Sequence, residues 1–78
     1  WKQYSFSMVL PLDLLEVSIN RDISLLLKDG RILNGKLLGY DQHMNLVLDD
    51  AREEKEGEEK RLGRVVVRGS NIISIALI

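Results

Sequence analysis

Read for polarity alone, the chain changes its period once. Near the start, Pro11 sits where a first helical turn tolerates proline, Asp13 and Glu16 favour the positive end of a helix, and Leu12, Leu15 and Ile19 recur near helical spacing. This pattern predicts one short helix ending near residues 18–20. From residue 22 the period falls to two: Ile23, Leu25 and Leu27 alternate with Ser24, Leu26 and Lys28 until Asp29-Gly30, the residue pair of a two-residue hairpin turn. A second strand is expected over 31–40, with Gly35 and Gly39 marking sharp bends or close approach within it. Residues 41–44 interrupt the alternation as a loop, and 45–49 read as a third strand. After an acidic tip centred on Gly57, a fourth strand runs over 60–68, Gly69-Ser70-Asn71 forms a turn, and a fifth spans 72–77. One helix followed by five short strands predicts a small all-β fold, a strongly bent antiparallel sheet closing toward a barrel.

The fourth and fifth strands carry the most uniform apolar runs, Val65-Val66-Val67 and Ile72-Ile73, which implies cover on both faces. A barrel of this size has only one inside. Either the two strands pair with each other through Gly69-Ser70-Asn71, or another subunit covers them across exposed edges. The choice stays open at this level. The chain's 78 residues support a single compact unit of marginal stability, and self-association is an economical source of further burial. Residues 1–7 precede Met8 and are read as an extension or expression remnant, with the domain occupying 8–78. Three of the four aromatics lie in that extension, so the core must be built from Leu, Ile and Val.

Composition narrows the chemistry. With no cysteine, thiolate metal sites, disulfides and thiol nucleophiles are excluded, and a reducing, cytoplasmic setting is expected. No apolar run approaches the roughly 18 residues of a membrane span, so no membrane partner is expected. The formal net charge of -1 conceals a separation, because residues 49–59 hold seven acids and two bases and the remainder is net positive. That acidic tip lacks the alternating ligands of a calcium loop and reads as a solvated hairpin end. His43 is the sole histidine and has no companions for a metal site or a catalytic triad; alone, it is most often a loop residue without a task. No cofactor and no enzymatic activity are expected.

The combination of Gly39-Tyr40-Asp41-Gln42-His43-Met44-Asn45-Leu46-Val47-Leu48-Asp49-Asp50-Ala51 with Arg61-Leu62-Gly63-Arg64-Val65-Val66-Val67-Arg68-Gly69-Ser70-Asn71-Ile72 changes this picture. The two segments resemble the paired signature of the Sm and Sm-like (LSm) family, most closely its archaeal members; Gly35 fits the same pattern, and the resemblance covers 11–75. It implies an SH3-like Sm barrel, a ring most often of seven subunits joined between strands four and five, and binding of uridine-rich single-stranded RNA at the inner rim. The role implied is that of a scaffold or chaperone in RNA processing or turnover, with RNA-processing proteins as partners on the outer faces.

Carried onto this sequence, His43 and Arg68 supply two planes to sandwich a base, and the Asn45 amide offers a donor and an acceptor to the uracil edge. Asp41 orients Asn45, Gly69 allows close approach and presents an N–H to the nucleotide, and Met44 packs inward. Ser70 stands where family members usually carry Asp or Asn, so a contact from that position has shorter reach. Two competing readings are a protein-interaction barrel, disfavoured because Tyr40 is the only aromatic outside the extension, and one subunit of a hetero-oligomeric LSm ring. The mass of the purified chain separates a homo-oligomer from both.

Overall fold

In the computed structural model, residues 10–78 are described; the domain boundary expected after residue 7 and the aromatics Trp1, Tyr4 and Phe6 lie outside them. The order is helix α1 (Pro11–Val17), then strands β1 (Asp22–Leu27), β2 (Ile32–Tyr40), β3 (Leu46–Lys55), β4 (Glu58–Val67) and β5 (Ile72–Leu77), with a 3₁₀ turn, Gly69–Asn71, between the last two strands. Pro11 occupies the first turn of α1 as expected. The helix stops slightly before the expected 18–20, because the Ser18 hydroxyl donates to the Leu14 carbonyl at 2.7 Å and the Ser18 N–H turns back to Leu15 at 3.0 Å.

Alternation places the core. Ile23, Leu25 and Leu27 of β1, Leu33 and Leu37 of β2, Leu46, Leu48 and Ala51 of β3, and Val67 of β4 are buried together, with Leu15 of α1 as the helix's one core residue. Bending follows from the glycines. A Cβ on Gly35 would stand 3.1 Å from the Asp49 carbonyl oxygen and 3.2 Å from the Ala51 Cα, so glycine lets β3 fold tightly over β2 at this point. The β2–β3 pairing shifts register on either side of Gly35 and again between Leu37 and Gly39. These shifts curve one continuous sheet.

Two expectations about turns and lengths are corrected. The β1–β2 connection is a three-residue loop, not a two-residue Asp-Gly turn: Leu27 N–H donates to Arg31 at 2.9 Å, Gly30 N–H donates to Leu27 at 3.0 Å, and only Gly30 (φ +91) takes positive φ. β3 continues to Lys55 and β4 starts at Glu58, so most of the acidic segment is strand. It is closed by Glu56 (φ 52) and Gly57 (φ 82), a pair with the φ signs of a type I′ turn. Arg31 braces this extension, donating to Asp29 at 2.8 Å and to Glu53 at 2.9 Å.

The sheet order is β4-β3-β2-β1-β5. β5 pairs with β1 and not with β4, which excludes the internal hairpin left open by the sequence and, among the described residues, leaves one free edge at each end of the sheet. Apolar residues remain exposed beside these edges: Val66 of β4 at 71% and Ile73 of β5 at 60%. No helix among the described residues is long and apolar enough to cross a membrane.

Candidate nucleic-acid interface

The loop 41–45 and the turn Gly69–Asn71 are 24 positions apart where they join, yet they form one unit. The antiparallel pairing of β3 with β4, Leu46 opposite Val67, brings the end of one loop beside the start of the other. Asp41 organises the first loop: its Oδ1 accepts the backbone N–H of His43 at 2.9 Å and of Asn45 at 3.0 Å, and its Oδ2 accepts the Asn45 Nδ2 at 2.9 Å. The Asn45 Oδ1 then accepts the Gly69 N–H at 2.9 Å. A carboxylate facing Nδ2 and an N–H facing Oδ1 leave the amide a single orientation. The orienting contact expected of Asp41 is present.

The Gly69 N–H is therefore spent on Asn45, which corrects the expectation that it is offered to a nucleotide. Close approach at Gly69 is present: a Cβ there would collide with the His43 carbonyl oxygen and stand 2.9 Å from the Met44 carbonyl. Asn45 keeps one N–H and one carbonyl lone pair for an external partner.

A cleft beside this clip is lined by Gly39, Tyr40, Asp41, Asn45, Val47, Val66 and Arg68. Asp41, Asn45 and Arg68 are thus brought together. His43 is exposed on the same loop and does not line the cleft, and Ser70 is exposed on the turn. Arg68 takes part in none of the ion pairs among the described residues. Tyr40 is a cleft residue that the sequence reading passed over; its place at the end of β2, directly before Asp41, was the available signal. Met44 packs against the core, as expected, at φ 65. Met44 and Gly69 also line a separate apolar groove, together with Leu14 and Leu15 of α1 and Ile72, Ile73 and Leu77 of β5.

The Asn45 side chain, followed by the two backbone N–H donors, holds the Asp41 carboxyl below the usual carboxylate range. A carboxyl depressed in the folded state stabilises the loop fully above the ordinary value of 3.8, and that stabilisation is lost only as pH falls through the lower folded value. The clip is thus intact at neutral pH. In Asp41→Asn, an N–H₂ group must oppose either the Asn45 amide or the two backbone donors, so the loop is weakened and the melting temperature at pH 7, measured by differential scanning calorimetry, falls by several degrees while the fold persists.

The sequence matches the LSM domain family over residues 13–77. An snRNP Sm-like protein of Methanococcoides burtonii is 46% identical over 67 residues, covering 85% of this chain and 93% of the relative. The solved Sm protein of Pyrococcus abyssi in complex with a uridine heptamer superposes with a TM-score of 0.85 at 41% identity, covering 90% of this chain and all of that one. A heptameric archaeal Sm protein superposes with a TM-score of 0.81 at 36% identity, covering 85% of this chain and 97% of that one. With a family match spanning nearly all of the described residues and the same bent five-stranded architecture, this chain belongs to the LSM domain family.

Proposed function

We propose that this chain assembles head to tail into a homo-oligomeric ring, of seven subunits like its solved relative, and binds uridine-rich single-stranded RNA. It serves as a scaffold or chaperone in RNA processing or turnover and performs no catalysis. The observation that carries the reading is the hydrogen-bonded chain from Asp41 through Asn45 to Gly69, which locks two distant loops beside Arg68, a side chain in no ion pair among the described residues. What remains exposed on Asn45 is one donor and one acceptor, a match for the adjacent N3–H and carbonyl of uracil; the cytosine edge reverses part of that pattern. Arg68 lines the cleft and supplies one flat partner for an unstacked base, and His43, exposed on the loop that carries Asn45, offers the other from outside the cleft.

Assembly is supported by the two free sheet edges. They are different strands at the two ends of one sheet, and each carries an exposed apolar residue, Val66 on β4 and Ile73 on β5, that pairing of one copy's β4 with the next copy's β5 would cover. A single pocket binds weakly, and a ring multiplies it along one strand. Native mass spectrometry of the chain with heptauridylate or heptacytidylate tests both parts. The expected result is a ring carrying the uridine strand, with affinity for uridine at least tenfold above cytidine at matched salt and falling as salt rises. Equal affinity for the two strands sinks the base-reading claim, and a solitary subunit at micromolar concentration sinks the ring.

A further inference from the structure

The sequence ahead of α1 carries a period-two signal of its own. Tyr4, Phe6 and Met8 alternate with Ser5 and Ser7, and residues 1–9 contain no proline, glycine or acid. That is the pattern of a short strand with one apolar face. These nine residues precede the described part of the chain, which begins at Leu10. The point of entry limits where they can go. Leu10 is extended (φ -95, ψ 152) and exposed, and Pro11 directly after it lines the apolar groove together with Ser74, Ile75 and Leu77 of β5. The segment therefore joins the domain at the groove, beside β5.

Both the groove and the strand edge beside it suit such a segment. No charged residue lines the groove, and Leu14, Ile73 and Leu77 in its walls are exposed. Among the described residues β5 pairs only with β1, so the backbone groups along its other side are free to accept an added strand. Lengths also match: β5 has 6 residues, and 3–8 make a strand of equal length, with Val9 and Leu10 as the connection to α1.

We infer that residues 3–8 pair with the free edge of β5 in their own subunit, Tyr4, Phe6 and Met8 filling the groove, and so hold the edge that a neighbouring copy's β4 takes on assembly. The competition rests on the proposed ring; the docking does not. A subunit with its segment in place is closed to a neighbour, so the concentration needed for assembly rises as the open fraction falls. Attachment in cis gives the segment a local concentration that dilution does not change, whereas the neighbour's β4 gains with every rise in protein concentration. The segment thus holds the edge in dilute solution and yields it in concentrated solution.

Hydrogen exchange read by mass spectrometry locates the segment. The background is Val66→Arg, which charges the β4 edge, keeps subunits apart and leaves the groove intact. Adding Phe6→Asp, which sets a charge against the apolar groove, is expected to speed exchange of the amides in 3–8 at least tenfold. In the parent chain the same Phe6→Asp change is expected to lower the half-assembly concentration, read by mass photometry or native mass spectrometry, at least fivefold. Ser5→Asp is the control: it adds the same charge to the opposite face of the strand and moves neither reading beyond twofold. Equal exchange with and without Phe6→Asp overturns the docking, and equal half-assembly concentrations overturn the competition. Protection of 3–8 that appears in the parent assembly but not in Val66→Arg puts the segment on another copy and overturns docking in cis. A parent chain that stays solitary at every concentration with its segment protected upholds the docking and overturns the ring.

Discussion

Arg68→Ala is expected to lower affinity for heptauridylate at least a hundredfold while leaving subunit number and melting temperature unchanged. Arg68 flanks β4 in extended conformation (φ -75, ψ 132), and its carbonyl accepts the Asn71 N–H at 3.0 Å, so the backbone is held by groups that alanine retains. Its side chain is exposed and outside every ion pair among the described residues, so folding loses little with it. Binding loses much more. Removing a stacking plane costs about 1–3 kcal/mol per base, and a strand that visits several identical pockets incurs that loss at each. Arg68→Lys divides the effect: the charge stays, the plane goes, and the salt dependence is kept while affinity still drops. Anisotropy titrations at two salt concentrations measure both. Arg68→Ala binding within twofold of the parent removes Arg68 from the site.

Gly69→Ala is expected to damage stability and binding together. The new methyl collides with the His43 carbonyl oxygen and crowds the Met44 carbonyl, both backbone atoms that cannot rotate away as a side chain does. Relief requires the two loops to separate, which breaks the Gly69 to Asn45 hydrogen bond and frees the amide that we propose reads uracil. Overpacking of this kind costs about 1–3 kcal/mol, and in a domain this short each kcal/mol lowers the melting point by about 4–8 °C. Gly39→Ala is the control, since a Cβ at Gly39 meets nothing within 4 Å. Differential scanning calorimetry of the two variants decides the matter: equal melting temperatures would show that the loops tolerate separation.

What the sequence revealed of this fold depended on how directly each feature is encoded in side-chain polarity. Ile23, Leu25 and Leu27 alternate with less buried neighbours, so both the strand and its inward face were legible. Gly35 marked the bend because no other residue leaves β3 room to approach. The far half of the β3–β4 hairpin was hidden for the opposite reason. Residues 52–59 project beyond the core, pair through backbone groups and carry charge on both faces, so polarity there mimics a loop. The Asp29-Gly30 pair misled because the Asp29 carboxylate accepts the Arg31 N–H at 3.1 Å and holds a three-residue loop, in which only glycine needs positive φ.

At the site, residue types were legible and commitments were not. Asp41 and Asn45 stood out by their spacing, but nothing in the linear order shows that the Gly69 N–H is consumed by Asn45. That bond joins positions whose proximity comes only from the strand pairing between them. Tyr40 escaped for a related reason: it closes a strand and reads as core, yet one side of it borders the cleft.

The unlike ends of the sheet also give any assembly a direction. In the proposed ring, copies added tail to head all point the same way, so the 41–45 loops of all copies collect on one side of the circle, and the acidic hairpins are likewise arranged in common orientation. A copy with a sound β4 and a ruined β5 could still join a growing arc, but nothing could follow it. A minority of such chains would halt closure for the majority, a poisoning that two-fold symmetric pairing would confine to single dimers.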